Sequence, residues 1–183
     1  MLTPVLKKEM FSIGSCYYNF LFKTNSTIVE LGEARLRQLY GGPVPGDYIA
    51  WHWRHYDVDL PHEQPVEINA MVMMFKCVET VAQSVGVNLT DKPALVISDF
   101  NIFRQMVAKG VFREATTLNI TAKHIDKGHH SLETYNNIFV DLYVMARARC
   151  LMFSRSGFSK VALWMGGNDM IKCSRDRIMC TPP

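Results

Sequence analysis

The chain has 183 residues, 48% of them hydrophobic, and 20 lysines and arginines against 17 aspartates and glutamates give a formal charge of +3. That is enough apolar mass for one well-buried domain, and the length does not ask for two. The charges are scattered, which excludes a nucleic-acid arm and a polybasic membrane segment, and no apolar run approaches the roughly 20 residues of a membrane helix. The N-terminus MLTPVLKKEMFSIG lacks the ordered regions of a signal peptide, so the chain as written reads as soluble.

Residues 1–46 read as a helical and connecting segment, and 47–183 as an α/β unit continuous with it. Within the first, Ser15 to Lys23 is aromatic-rich and fits either a helix or a strand. Ser26 to Tyr40 starts on hydroxyl residues, carries Ile28, Leu31, Leu36 and Leu39 among charges, and stops at Gly41-Gly42-Pro43, the pattern of a surface helix. Asp47 to Trp51 then reads as a strand delivering His52, Trp53, Arg54, His55, Tyr56 and Asp57 at its C-terminal end. In an open α/β sheet that is the end where ligands bind.

Val58 to Pro65 reads as a surface loop. Ile68 to Val85 is a helix with Ile68, Met71, Val72, Phe75, Val78, Ala82 and Val85 on one face and Gly86 as its stop; its methionines read as core filling. Ala94 to Ile97 is a second buried strand ending in Ser98-Asp99, Asn101 to Lys109 a short helix, and Thr117 to Thr121 a third strand. Lys123 to Thr134, with His124, His129 and His130, is aperiodic. A solvated loop is the reading there, because no cysteine or carboxylate stands at metal-ligand spacing.

Phe139 to Ala148 has helical spacing, Cys150 to Phe153 the length of a buried strand, and Phe158 to Met165 reads as a helix closed by Gly166-Gly167. The polar turn Ser154-Arg155-Ser156-Gly157 joins strand to helix. Asp169 to Cys173 is the candidate last strand. Alternation of strands and helices implies a Rossmann-like, mostly parallel sheet with helices on both faces. Neither GxGxxG nor a Walker A loop occurs, which removes dinucleotide oxidoreductases and P-loop enzymes.

The five cysteines, Cys16, Cys77, Cys150, Cys173 and Cys180, contain no CxxC pair and leave disulfide pairing open, although an odd count keeps at least one unpaired within the chain. Three sequons, at Asn25, Asn88 and Asn119, point to the secretory lumen.

Singly, Ser154, Ser156 and Ser159 read as helix caps, Arg54 as a surface arginine paired with Asp57, and Asp141 as a helix-surface charge. Together, His52-Trp53-Arg54-His55-Tyr56-Asp57 and Asp141…Phe153-Ser154-Arg155-Ser156-Gly157-Phe158-Ser159 resemble the donor-binding half of the fucosyltransferase superfamily, with its His-x-Arg-x-x-Asp strand end and downstream serine-rich turn. The resemblance implies the C-terminal donor domain of a GT-B glycosyltransferase, with GDP-fucose as donor, no metal, and a glycan or glycoprotein acceptor in the Golgi or endoplasmic reticulum. It places Arg54 on the β-phosphate, and His52 with Asp57 beside the phosphates or ribose. Asp141 falls on guanine or ribose, and Ser154, Ser156, Gly157, Phe158 and Ser159 around the phosphates. His62 or Glu63 falls where some relatives place the acceptor base. Where many relatives have a second arginine this chain has His55, and the expected acceptor domain is missing, so the chain reads as a fragment or short form. A nucleotide-sugar-binding pseudoenzyme and a purely structural α/β domain remain the other readings.

Overall fold

The computed structural model describes residues 15–16, 23–43, 46–54, 68–118, 120, 131–154 and 156–176. Its elements are α1 (Ser26–Tyr40), β1 (Ile49–Trp53), α2 (Ile68–Ser84), β2 (Ala94–Ser98), α3 (Asn101–Ala108), β3 (Ala115–Thr117), α4 (Leu132–Arg147), β4 (Cys150–Phe153), α5 (Gly157–Cys173) and β5 (Arg175–Asp176). The strands form one sheet in the order β3-β2-β1-β4-β5, parallel throughout. The chain therefore builds outward on one side of β1 and then crosses to the other, and the reversal lies between β1 and β4.

Strand alternation divides the core in two. Ile49, Trp51, Trp53, Ala94, Val96, Cys150 and Met152 face α2 and α3, while Ala50, Leu95, Ile97 and Leu151 face α1, α4 and α5. Both faces being covered, β1, β2 and most of β4 are buried residue after residue. Trp51 anchors the first half, with ring centroids 4.9 Å from Phe103, 5.4 Å from Phe112 and 5.6 Å from Phe75. Helix α1 belongs to this unit: a Cβ at Gly32 would lie 2.4 Å from Tyr143 Cδ1, so only glycine lets α1 approach α4 this closely.

Several expectations are corrected. The face of α2 turned to the sheet is Met71, Met74, Phe75, Val78, Val81 and Ala82, while Ile68 and Val72 are exposed. The third strand is Ala115–Thr117 rather than Thr117 to Thr121, because Ala94 to Val96 pair with Ala115 to Thr117. Helix α4 starts at Leu132, where the Ser131 hydroxyl caps the Thr134 amide; its first turns are partly polar and hide the helical period. Gly166-Gly167 breaks the helix where expected, and a second helical stretch follows the break within α5. Gly167 takes φ 80° and kinks it, and a Cβ on Gly166 would meet Met170 Sδ and the Ala146 carbonyl, so the pair serves a close crossing over α4. The helix thus covers Asp169 to Cys173, and the last strand is Arg175–Asp176.

Cys150 and Cys173 form a disulfide, Cα atoms 5.5 Å apart, which closes β4, the serine turn and α5 into one loop. On the chain-entropy model a loop of this size contributes about 3 kcal/mol. Cys77 is disulfide-bonded too, and Cys16 is free.

Replacing Trp51 by Ala, at the centre of the aromatic cluster, is expected to cost about 3–5 kcal/mol. Urea unfolding of Trp51→Ala against wild type reads this, and a loss below about 1 kcal/mol contradicts the packing.

Candidate functional site

The reversal in strand order brings the ends of β1 and β4 side by side, with His52 opposite Phe153 in register. Open α/β sheets bind ligands at this crevice. The described parts of the two sequence motifs, His52 to Arg54 and Ser154 with Ser156 to Ser159, lie here. The Arg54 amide donates to Ser154 Oγ at 2.5 Å, the Ser154 amide donates to the His52 carbonyl at 3.1 Å, and His52 Nδ1 lies 2.6 Å from Ser159 Oγ.

Ser156 caps α5, its hydroxyl accepting from the Ser159 amide at 3.0 Å. Ser159 Oγ donates to the Ser154 carbonyl at 3.1 Å and lies 2.9 Å from Ser156 Oγ. With its only proton spent on that carbonyl, Ser159 Oγ receives from Ser156 Oγ and from His52 Nδ1–H, which assigns neutral His52 its Nδ1 proton. Ser154, Ser159 and His52 are buried, so these hydroxyls already have internal partners. The Gly157 and Phe158 amides, in the first turn of α5, have no partner among the described residues.

For Arg54, the expected pairing with Asp57 falls outside the described residues. Arg54 Nε sits 3.0 Å from Asp99 Oδ2, and its side chain is 30% exposed. Asp99 directly follows β2, whose last residue, Ser98, donates through its hydroxyl to the Trp53 carbonyl at 2.7 Å. Engaged only at Nε, the Arg54 guanidinium keeps both terminal nitrogens without partners among the described residues. A planar fork of this kind matches the oxygens of a phosphate.

Asp141 is buried in α4 rather than lying on the helix surface. Its Oδ2 accepts from Arg104 Nη2 at 2.6 Å, and Arg104 Nε donates to the Ser98 carbonyl at 2.6 Å. Asp141 Oδ1 has no hydrogen-bond partner among the described residues. Burial pushes its carboxyl up from the ordinary value, against the opposing pull of Arg104 and Arg35. Sequence reading missed Arg104: it stands in an ordinary helix, and its partner lies 37 positions away. Asp99 was noted only as part of Ser98-Asp99. Asp57, His62 and Glu63 lie outside the described residues, as do Asn119, His124, His129 and His130. No metal-holding group of histidine, cysteine or carboxylate occurs among the described residues, and no described helix is long and apolar enough to cross a membrane.

No family model matches the sequence, and no curated protein does. Solved structures do match the fold. POFUT1 in complex with GDP is similar over 92% of this chain and 49% of its own, with a TM-score of 0.52 at 14% identity. The fucosyltransferase NodZ from Bradyrhizobium matches 76% of this chain and 41% of its own, with a TM-score of 0.45 at 16% identity. The chain spans about half the length of the POFUT1 chain and about two-fifths of the NodZ chain. The protein thus has a Rossmann-like fold similar to that of POFUT1.

His52 supplies a pH test. Burial, then Arg54 and Arg104, lower it from 6.5 to about 3, so the folded state resists a proton that the unfolded chain accepts. Stability is complete above about 6.5 and falls as pH drops below it toward about 3, by at most about 1.4 kcal/mol per pH unit. Asp141, shifted upward, acts in the opposite sense at the acid end. Urea unfolding between about pH 7 and pH 5 should show His52→Asn losing less stability on acidification than wild type; equal slopes contradict a buried neutral His52.

Proposed function

We propose that this chain binds a guanosine-diphosphate sugar, GDP-fucose by the resemblance, and serves as the donor-binding part of an inverting fucosyltransferase-like enzyme. The observation that carries the reading is the position of Arg54: ion-paired at Nε with Asp99, its terminal nitrogens without partners among the described residues, at the strand-order reversal, and tied through its amide to Ser154, which opens the turn into α5. A cationic fork beside helix N-terminal amides stabilises the charge that develops on a departing diphosphate, so the chemistry does not require a metal ion.

In this reading Arg54 takes the β-phosphate and the Gly157 to Ser159 backbone the remaining phosphate oxygens. Ser154, Ser156 and Ser159 shape the turn, and Ser156, half-buried, is the hydroxyl nearest to solvent. His52 is a positioning residue beneath them, Asp57 contributes beside the ribose, and Asp141 accepts from guanine or ribose through Oδ1. An acceptor hydroxyl attacks the anomeric carbon, the bond to the β-phosphate oxygen breaks, GDP leaves, and the acceptor proton passes to His62 or Glu63. The acceptor is a glycan or glycoprotein, bound with the help of a second domain in a GT-B arrangement, in the secretory lumen. The binding-only alternative keeps every donor contact and lacks the transfer.

Calorimetry with GDP tests the proposal. Wild type should bind, with affinity unchanged by a chelator, and Arg54→Ala should bind about 10-fold to 100-fold more weakly, the loss of one charge-assisted contact. Absence of binding to a folded wild-type chain overturns it. Binding without fucose transfer to any glycan or peptide acceptor selects the binding-only form. Asp99→Asn should weaken GDP less than Arg54→Ala, because it frees the fork without removing it.

A further inference from the structure

We propose that Asn25 and Asn88 are N-glycosylation acceptors, each carrying an oligosaccharide on its side-chain nitrogen. Both are exposed, as are Thr27 and Thr90, the hydroxyl residues two positions on. Their geometry is the same. Asn25 Oδ1 accepts from the Thr27 amide at 2.8 Å, and Asn88 Oδ1 accepts from the Thr90 amide at 3.0 Å. The carboxamide is thus folded back on its own sequon, and a hydrogen bond to its oxygen draws electron density from the nitrogen and makes the N–H protons easier to remove.

The folded state tolerates the product. In the transfer, Nδ2 bonds to the anomeric carbon of a lipid-diphosphate-linked oligosaccharide, the carbon–oxygen bond to the phosphate breaks, the lipid diphosphate leaves, and one Nδ2 proton passes to the transferring enzyme's base. The product amide keeps Oδ1 and one N–H. At Asn88 the Oδ1 bond survives, and so does the one Nδ2 donates to Asp91 Oδ2 at 2.8 Å when the glycan replaces the other Nδ2 proton. At Asn25, Nδ2 has no partner among the described residues to lose.

An independent observation gives the compartment. The Cys150–Cys173 disulfide, with Cys77 also bonded, belongs to an oxidising environment, the one in which such oligosaccharides are attached. The luminal location proposed above is the condition for the modification. Asn88 lies between α2 and β2, at the edge of the sheet where strands start, while Arg54 and α5 meet at the edge where they end. A glycan on Asn88 therefore leaves the donor crevice open.

The full chain, sent through the secretory route of a cultured animal cell behind a cleavable leader, is weighed intact before and after peptide-N-glycosidase, and the treated peptides are mapped. The expected result is a mass loss on treatment, with Asn25 and Asn88 converted to Asp. Thr27→Ala and Thr90→Ala should each remove one glycan, while Thr27→Ser and Thr90→Ser retain it. Secreted, disulfide-bonded chain with both asparagines unmodified overturns the proposal, and so does modification confined to Asn119. GDP affinity, read on the same sample, should be unchanged by deglycosylation. Glycans present without GDP binding overturn the donor reading alone, and GDP binding without glycans overturns this one alone.

Discussion

Two serine hydroxyls hold together the edge of the sheet where β1, β2 and β4 end. Ser154 Oγ takes the Arg54 amide while its own amide donates to the His52 carbonyl, which ties the end of β4 to the end of β1. On the other flank, Ser98 Oγ donates to the Trp53 carbonyl and accepts from the Phe100 amide, tying β2 to β1. The chain leaves the ladder at these points, where backbone groups would otherwise be buried without partners at a cost of about 1–3 kcal/mol each. With the strand ends fixed laterally, Arg54, Asp99 and the first turn of α5 come out of three neighbouring strands in set positions.

Charge at this edge is arranged in layers. Beneath it, burial and two arginines keep His52 neutral, so its hydrogen bond to Ser159 orders the turn without adding a second cation. Asp99 orients Arg54 from the side and leaves the fork outward. Farther in, Arg104 links the Ser98 carbonyl to Asp141, joining the β2 end to α4 on the opposite face. Cys150–Cys173 closes the segment that carries the serine turn, so α5 cannot drift far from β4 even if its packing loosens.

Much of this was legible from local pattern. Apolar runs marked β1, β2 and β4, hydroxyl residues and glycines marked α1, and the strand-turn-helix order placed Ser156 as a cap. What local pattern could not carry was anything decided across the sheet. Nothing near Arg54 signals that Asp99 is its partner, because the two meet only after β1 and β2 pair. Asp141 has the spacing of a surface charge until Arg104 arrives from another helix. Gly166-Gly167 carried a stop signal and does interrupt the helix, but nothing local showed that a second helical stretch would follow it in place of a strand. The third strand was displaced because its place is set by pairing with β2, not by its own propensity.

The central claim is that the Arg54 fork and the α5 N-terminus form one anion site. Its most direct measurement is an amide and arginine side-chain NMR titration of the isotope-labelled chain with GDP. The Gly157 and Phe158 amides and the Arg54 guanidinium should shift together, along one saturation curve. Shifts confined to other residues, or an Arg54 signal that stays still while the chain binds GDP, would contradict the account.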